Sequence, residues 1–259
     1  MFKKIVFDST VNANAVAEAI RQDWLDKKVI HVKRPHQGDT DELRAFYDEV
    51  LETLGDPVDI GEDATVGDRD NQRTGLRWME IRYDPNIPDA YRHSSNPQPL
   101  HTDGSYIPDF PDAAIIYCQS SANNGGETVF LDSKVLIDAL ESDAPELLAR
   151  LRGNIIPHSR SGDTRVSKII EGDTQDPTLH WNYYCVAKDI DDDLKELREE
   201  FHQFLLNSQK VQDSLVAVTL RPGDCVIWKD DKTLHGRNSF DPKVKSERFL
   251  WKSAVHVRH

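Results

Sequence analysis

The sequence predicts a mainly β protein with flanking α-helices, built on a double-stranded β-helix (jelly roll) core. Three observations point there. Short apolar strand-type runs cluster in the centre and at the end of the chain, with helical periodicities before and between them. No repeat, low-complexity tract or Pro/Gly/Ser linker divides the 259 residues, so 1–259 reads as a single domain. Chemistry-bearing residues also sit at the edges of strand-type runs far apart in sequence, which the mouth of a jelly roll would bring together.

The elements follow in order. Residues 1–8 read as a strand. Residues 13–27 read as a helix, with Val16, Ile20 and Trp24 at helical spacing. VIHVKRP (29–35) is a second strand. The clearest helix covers 40–54. Asp39 and Glu42 form a capping pair, Leu43, Phe46, Tyr47, Val50, Leu51 and Leu54 form an apolar stripe, and Gly55 is the stop. Residues 56–76 are polar and rich in Gly and Asp, so they read as a loop. RWMEIRYD (77–84) reads as a strand, and 84–99, with four prolines, as a second loop. AAIIYCQS (113–120) and ETVFLD (127–132) flank an ANNGG turn and are expected to pair as a hairpin. SKVLIDAL and PELLARL are helical, 159–178 is a polar loop, and 191–206 is an amphipathic helix using Leu194, Leu197, Phe201 and Leu205. Strands return in SLVAVTL, DCVIW, TLHGRNSF and RFLWKSAVHV.

Composition bounds the function. The formal net charge of −13 argues against a nucleic-acid partner, although Arg and Lys cluster locally at 69–92 and 152–168. Cys118, Cys185 and Cys225 are odd in number, lack metal spacing and lie in apolar runs, so they read as buried free thiols of a reducing compartment. The apolar run of MFKKIVFDST is too short for a signal peptide. No stretch approaches the ~20 apolar residues of a membrane span. The expectation is a cytoplasmic protein acting on a small molecule, with no membrane partner. Nothing in the chain indicates a homo-oligomer.

His101-Thr102-Asp103 places two metal-ligand side chains at i and i+2, on the same side of an extended segment. With ten histidines, about one such pairing arises by chance, so the motif alone decides little. A distant His235 completes a 2-His-1-carboxylate set. That face leaves adjacent coordination positions open and is the arrangement of non-haem Fe(II) oxygenases. His158, His180, His256 and His259 stand outside any His-x-Asp or His-x-x-x-His pattern and read as structural or solvated.

Four segments make a specific resemblance. HTDGSY (101–106), GGETVFLD (125–132), the stretch from Gly223-Asp224 through Trp228 to His235-Gly236-Arg237, and SERFLWK (246–252) occur in this order. They resemble the taurine dioxygenase (TauD/TfdA-like) family of Fe(II)/2-oxoglutarate-dependent dioxygenases. The match is good over roughly 95–135 and 220–255 and loose over the first ~90 residues. The resemblance implies that His101, Asp103 and His235 are the metal ligands and catalytic centre. It implies that Thr128 contacts 2-oxoglutarate and that Arg248 clamps its distal carboxylate. An Arg suits that task because its planar fork meets a carboxylate with two parallel hydrogen bonds. The chain departs from the pattern at Lys252, where the family carries Arg, and this leaves the role of Lys252 open. Arg237 reads as structural or as a second co-substrate contact, Trp228 as core or site wall, and Glu127 should point away from Thr128.

The implied reaction consumes O2 and 2-oxoglutarate, releases succinate and CO2, and hydroxylates an unactivated C–H bond. The intact Asp103 carboxylate fills the position that related halogenases leave to chloride, so oxygen transfer is expected. Substrate choice is expected in the loops 62–77, 84–99 and 157–184, which carry Arg73, Arg77, Arg82, Arg92, Arg160, Arg165, Lys168, Asn182 and Tyr183. A small amino-acid-like or organic-acid substrate is the expectation. Three alternatives remain: desaturation, cyclisation or carbon–heteroatom cleavage by the same cofactors; a non-catalytic jelly-roll binding protein; and a zinc hydrolase, which would need no carboxylate clamp.

Overall fold

The computed structural model describes residues 1–59, 77–87, 91–160, 162–245 and 247–258. The chain opens with β1 (Phe2–Val6), α1 (Ala13–Trp24), β2 (Val29–Lys33), α2 (Thr40–Leu54), β3 (Gly55–Val58), β4 (Met79–Ile81) and β5 (Gln98–His101). The centre holds β6 (Ala113–Ser120), β7 (Thr128–Asp132), α3 (Ser133–Asp143), α4 (Pro145–Gly153), β8 (Ile155–Arg160), β9 (Asp163–Lys168), β10 (Ile170–Glu171) and β11 (Thr178–Leu179). It closes with α5 (Asp192–Asn207), α6 (Gln209–Asp213), β12 (Val216–Val218), β13 (Cys225–Lys229), β14 (Thr233–Arg237) and β15 (Phe249–Val257).

Two sheets face each other. The larger runs β1-β2-β13-β6-β15-β3, with β4 also on β15, and the smaller runs β12-β7-β14-β5. Only β1 and β2 pair in parallel; the other named pairs are antiparallel. Strand alternation then sets the layers. Ile115 and Tyr117 of β6, with Cys225 and Ile227 of β13, turn outward onto α1 and α2. Ala114, Ile116, Cys118, Val226 and Trp228 turn inward and meet Phe130 of the smaller sheet. Val129, Leu131 and Leu234 leave that sheet on its far side, under α3, α4 and α5. The result is the expected double-stranded β-helix, covered by helices on both faces. No described helix is long and apolar enough to cross a membrane.

The helix at 40–54 forms as expected. The Asp39 side chain accepts the Asp41 N–H, and Leu43, Tyr47, Val50, Leu51 and Leu54 are buried. Tyr47 stacks on Tyr117 at 4.6 Å. Gly55 does more than stop the helix. Its backbone is extended (φ 178°) and opens β3, where a Cβ would lie 1.7 Å from the His256 carbonyl oxygen of β15. Glycine is required there by close strand approach.

Three expectations need correction. The runs 113–120 and 127–132 do not form a hairpin; β6 pairs with β13 and β15, and β7 with β12 and β14, so the turn between them crosses from one sheet to the other. Each run has an inward apolar row, and burying both rows against each other wins over pairing their edges. Residues 159–178 are not a loop. They contribute to the β8–β9 ribbon and to β10–β11, whose exposed polar faces leave no periodic apolar signal. The proline-rich 84–99 segment ends in β5, the edge strand that carries His101; proline is tolerated on an edge. Most of the 56–76 loop, with Arg73, lies outside the described residues, as does His259.

Candidate active site

β5 and β14 run side by side at the mouth between the sheets. Their register sets His101 directly opposite His235, with ring centroids 4.2 Å apart. Leu100 enters the helix-side core, so alternation turns His101 toward the cavity. The chain stays extended through Thr102, then turns through Asp103–Tyr106. Thr102 points away from its two neighbours, and its hydroxyl accepts the Trp181 N–H at 3.1 Å. Asp103 therefore comes back to the side of His101. Asp103 Oδ1 is 3.7 Å from His101 Nε2, and Oδ2 is 3.5 Å from His235 Nε2. One donor atom from each of the three residues lies within 4.8 Å of the others, a set with the donor composition to hold a metal ion.

The surroundings suit that use. Burial keeps the His235 pKa well below its ordinary value, so the ring is neutral and has a lone pair to give. Burial pushes the Asp103 carboxyl up, but Lys252 and then the two histidines overcome this and hold it well below the usual carboxylate range. The Lys252 ammonium forms an ion pair with Asp103 Oδ1. Asp230, just after β13, accepts the N–H groups of Asp103 (3.0 Å) and Gly104 (2.9 Å), and its Oδ1 lies 3.7 Å from His235 Nδ1. At that distance Asp230 stands behind the His235 ring without a hydrogen bond to Nδ1, which is buried and unpartnered. Burial, and then Asp103, push the Asp230 pKa up to about 7. Sequence reading missed Asp230. Its signal was present in the position of a carboxylate five residues before His235 on a strand-turn segment. Trp228 is both core and wall: fully buried, its ring lies 4.8 Å from that of His235.

Beside this triad lies a cationic end. Thr128 of β7 is in register with Arg237 of β14. Arg248 adopts a left-handed backbone (φ 56°), rare for a residue with a side chain, and its Nε donates to the Gly126 carbonyl at 2.7 Å. Gly126, itself at φ 74°, is needed there, because a Cβ would sit 2.8 Å from Arg248 Cδ. Arg237 donates to the carbonyls of Tyr91 (2.9 Å) and Asn96 (2.5 Å), tying down the segment that leads into β5. Burial lowers the Arg237 pKa to about 10, and burial together with Arg237 lowers that of Arg248 to about 9. Among the described residues neither guanidinium has a carboxylate within ion-pair distance. Glu127 turns outward as expected and accepts from Asn238 Nδ2.

His101, Asp103, Thr128, His235 and Arg248 all line one cavity of about 500 Å³, together with Lys252 and Arg237. Of the basic and polar loop residues expected near the mouth, Arg92, Arg160, Asn182 and Tyr183 line it. Arg77 instead pairs with Glu52, Arg82 with Glu80, and Arg165 holds the Ile107 carbonyl. Tyr91, Tyr184, Asp59 and Asp109 also line it and were not anticipated. His158, His180 and His256 lie outside the triad, as expected.

Residues 4–253 match the profile of the family described as taurine catabolism dioxygenase TauD, TfdA family. The chain belongs to the TauD/TfdA dioxygenase family. It is an Fe(II)/2-oxoglutarate-dependent dioxygenase with the fold of that family. An asparagine oxygenase solved with Fe(II), 2S,3S-3-hydroxyasparagine and succinate superposes with a TM-score of 0.73 at 16% identity, over 94% of this chain and 78% of that one. The non-haem iron oxygenase OrfP, solved with Fe and alpha-ketoglutaric acid, gives 0.69 at 15% identity, over 93% and 79%. PvcB from Pseudomonas aeruginosa gives 0.65 at 18% identity, over 98% and 86%.

Proposed function

We propose that His101, Asp103 and His235 hold the Fe(II) of this TauD/TfdA member. In the same reading Thr128 and Arg248 hold the distal carboxylate of 2-oxoglutarate, and the enzyme hydroxylates a C–H bond of a small amino-acid or organic-acid substrate. The observation that carries this is the pairing of two features in one cavity. The ligand triad faces it, and a buried Arg248 without a carboxylate partner lies beside the triad. A buried cation is costly unless an anion completes it. The donor set fits Fe(II): two imidazoles, one of them held neutral by burial, and an ionised carboxylate whose Oδ2 is buried with no hydrogen-bond partner.

With 2-oxoglutarate and O2, bound Fe(II) supplies the oxidising chemistry, and succinate and CO2 leave as co-products. The chain's residues do the rest. Asp230 fixes the backbone of Asp103 and backs His235. Arg237 fastens the 91–96 segment over the cavity, and Trp228 and Phe130 keep water from behind His235. An amino-acid substrate is supported by the wall, which offers both signs of charge through Arg92 and Arg160 and through Asp59 and Asp109. The hydroxy-amino acids named with the asparagine oxygenase and OrfP structures agree with that class. The acidic net charge argues against a nucleic-acid partner, and the three buried free thiols support a reducing, cytoplasmic compartment.

The test is a succinate-release screen across free amino acids and small organic acids with Fe(II), 2-oxoglutarate and O2. One class should raise succinate well above the substrate-free rate, with a product heavier by one oxygen. Stimulation only by molecules lacking a carboxylate would refute the substrate class.

A further inference from the structure

Taking Asp103 as a metal ligand, as proposed above, the geometry points to Lys252 as a positioning residue that occupies one oxygen of the Asp103 carboxylate and so presents a single oxygen to the ion. Three observations carry this. The Lys252 ammonium is in contact with Asp103 Oδ1, whereas Oδ2 is buried without a hydrogen-bond partner and lies nearer His235. The two carboxylate oxygens are therefore already differentiated by the chain. Lys252 also has a fixed origin. β15 is paired there on both sides, Lys252 standing opposite Ile116 of β6 and Met79 of β4, so the side chain rises from rigid sheet. Finally, its side chain is only 12% exposed and its Nζ lies 6.0 Å from the Trp228 ring centroid, so the charge is largely withdrawn from bulk water at the cavity wall.

The consequence concerns the number of positions left open. A carboxylate can give one ion either one oxygen or both. Giving both would use a position that the open face of a 2-His-1-carboxylate site keeps for ligands. Lys252 opposes this by holding Oδ1 with a charge-assisted contact. The same ammonium repels a divalent cation nearby, so it lowers the affinity for the metal itself while keeping the face open. A residue serving only the fold would not produce that opposition of effects.

The experiment is anaerobic calorimetry with Co(II) as the metal, followed by titration of 2-oxoglutarate into the Co(II)-loaded chain. It is run on the wild type, Lys252→Met and Lys252→Arg, with thermal unfolding of each. Lys252→Met should bind Co(II) at least as tightly as the wild type, yet bind 2-oxoglutarate on the order of ten-fold more weakly. Lys252→Arg restores a cation and should return the 2-oxoglutarate affinity to within about three-fold of the wild type. Parallel loss of Co(II) and 2-oxoglutarate binding in Lys252→Met would overturn the proposal, since Lys252 would then simply hold the face together. Unchanged 2-oxoglutarate affinity would overturn it too, leaving its cation for another ligand. A wild type that takes up no Co(II) sinks the metal-site assignment itself, and the role of Lys252 with it.

Discussion

Arg248 sits in a left-handed backbone, is buried, and has only the Gly126 carbonyl as a hydrogen-bond partner among the described residues. Backbone strain of this kind costs on the order of 1–3 kcal/mol and persists where the surroundings impose it. Arg248→Ala should lower the affinity for 2-oxoglutarate by about 2–5 kcal/mol, as truncating one partner of a buried charge pair does. Metal binding should stay near normal. Thr128→Ala removes one neutral hydrogen bond and should lose only ~1 kcal/mol. Calorimetry of 2-oxoglutarate binding to the metal-loaded variants checks both; equal losses would mean that Arg248 is not the clamp. Burial pushes the thiols of Cys118 and Cys225 up to about 12, so neither should react with a thiol reagent near pH 8 until the chain is unfolded. At this scale the triad was legible because its residue types and order are distinctive. Asp230 was not, because the two carboxylates of Lys-Asp-Asp-Lys (229–232) look like a solvated turn. Lys252 was visible only as a departure from the resemblance, and its contact with Asp103 depends on β15 of the larger sheet meeting the turn after β5 of the smaller one.

At the scale of elements, β3 and β15 approach so closely at Gly55 that a methyl group would meet the His256 carbonyl oxygen. Gly55→Ala should therefore destabilise the protein by about 3 kcal/mol, the upper end of what overpacking costs. Asp39→Ala, which removes the cap of α2, should cost only ~1 kcal/mol. Chemical denaturation of the two variants separates them; similar midpoints would deny the close approach. α2 and α5 were readable from local spacing, since each buries an apolar stripe of its own. β6 and β7 were readable as strands but not as partners in different sheets. That choice is made by the inter-sheet core of Ile116, Phe130 and Trp228, brought together from distant parts of the chain. The end of β8 and all of β9 lie in the stretch 159–178 that reads as loop, because backbone pairing, together with the Arg165 contact to the Ile107 carbonyl, holds the ribbon with little apolar patterning.

At the scale of the whole molecule, buried histidines couple stability to pH. Burial lowers His158 and His180 from 6.5 to about 4. The unfolded chain thus binds protons that the folded chain refuses, so stability is full above about 6.5 and falls as pH drops toward about 4. His158, fully buried, should cost about 2 kcal/mol on going from pH ~7 to ~5. Thermal melts at the two pH values check this, and His158→Gln should flatten the difference by that amount. The same burial that makes the molecule acid-sensitive delivers the site. Two sheets close over Trp228 and Phe130, and the edge pair β5–β14 opens the mouth where His101 and His235 face each other. The central claim is that this mouth holds Fe(II) through His101, Asp103 and His235 and uses it to turn over 2-oxoglutarate. The most direct measurement follows Fe(II) uptake and O2-dependent succinate release in the wild type and in folded His235→Ala. The wild type should bind a single Fe(II) per chain and release succinate, and the variant should do neither. Succinate release by His235→Ala at the wild-type rate would contradict the assignment.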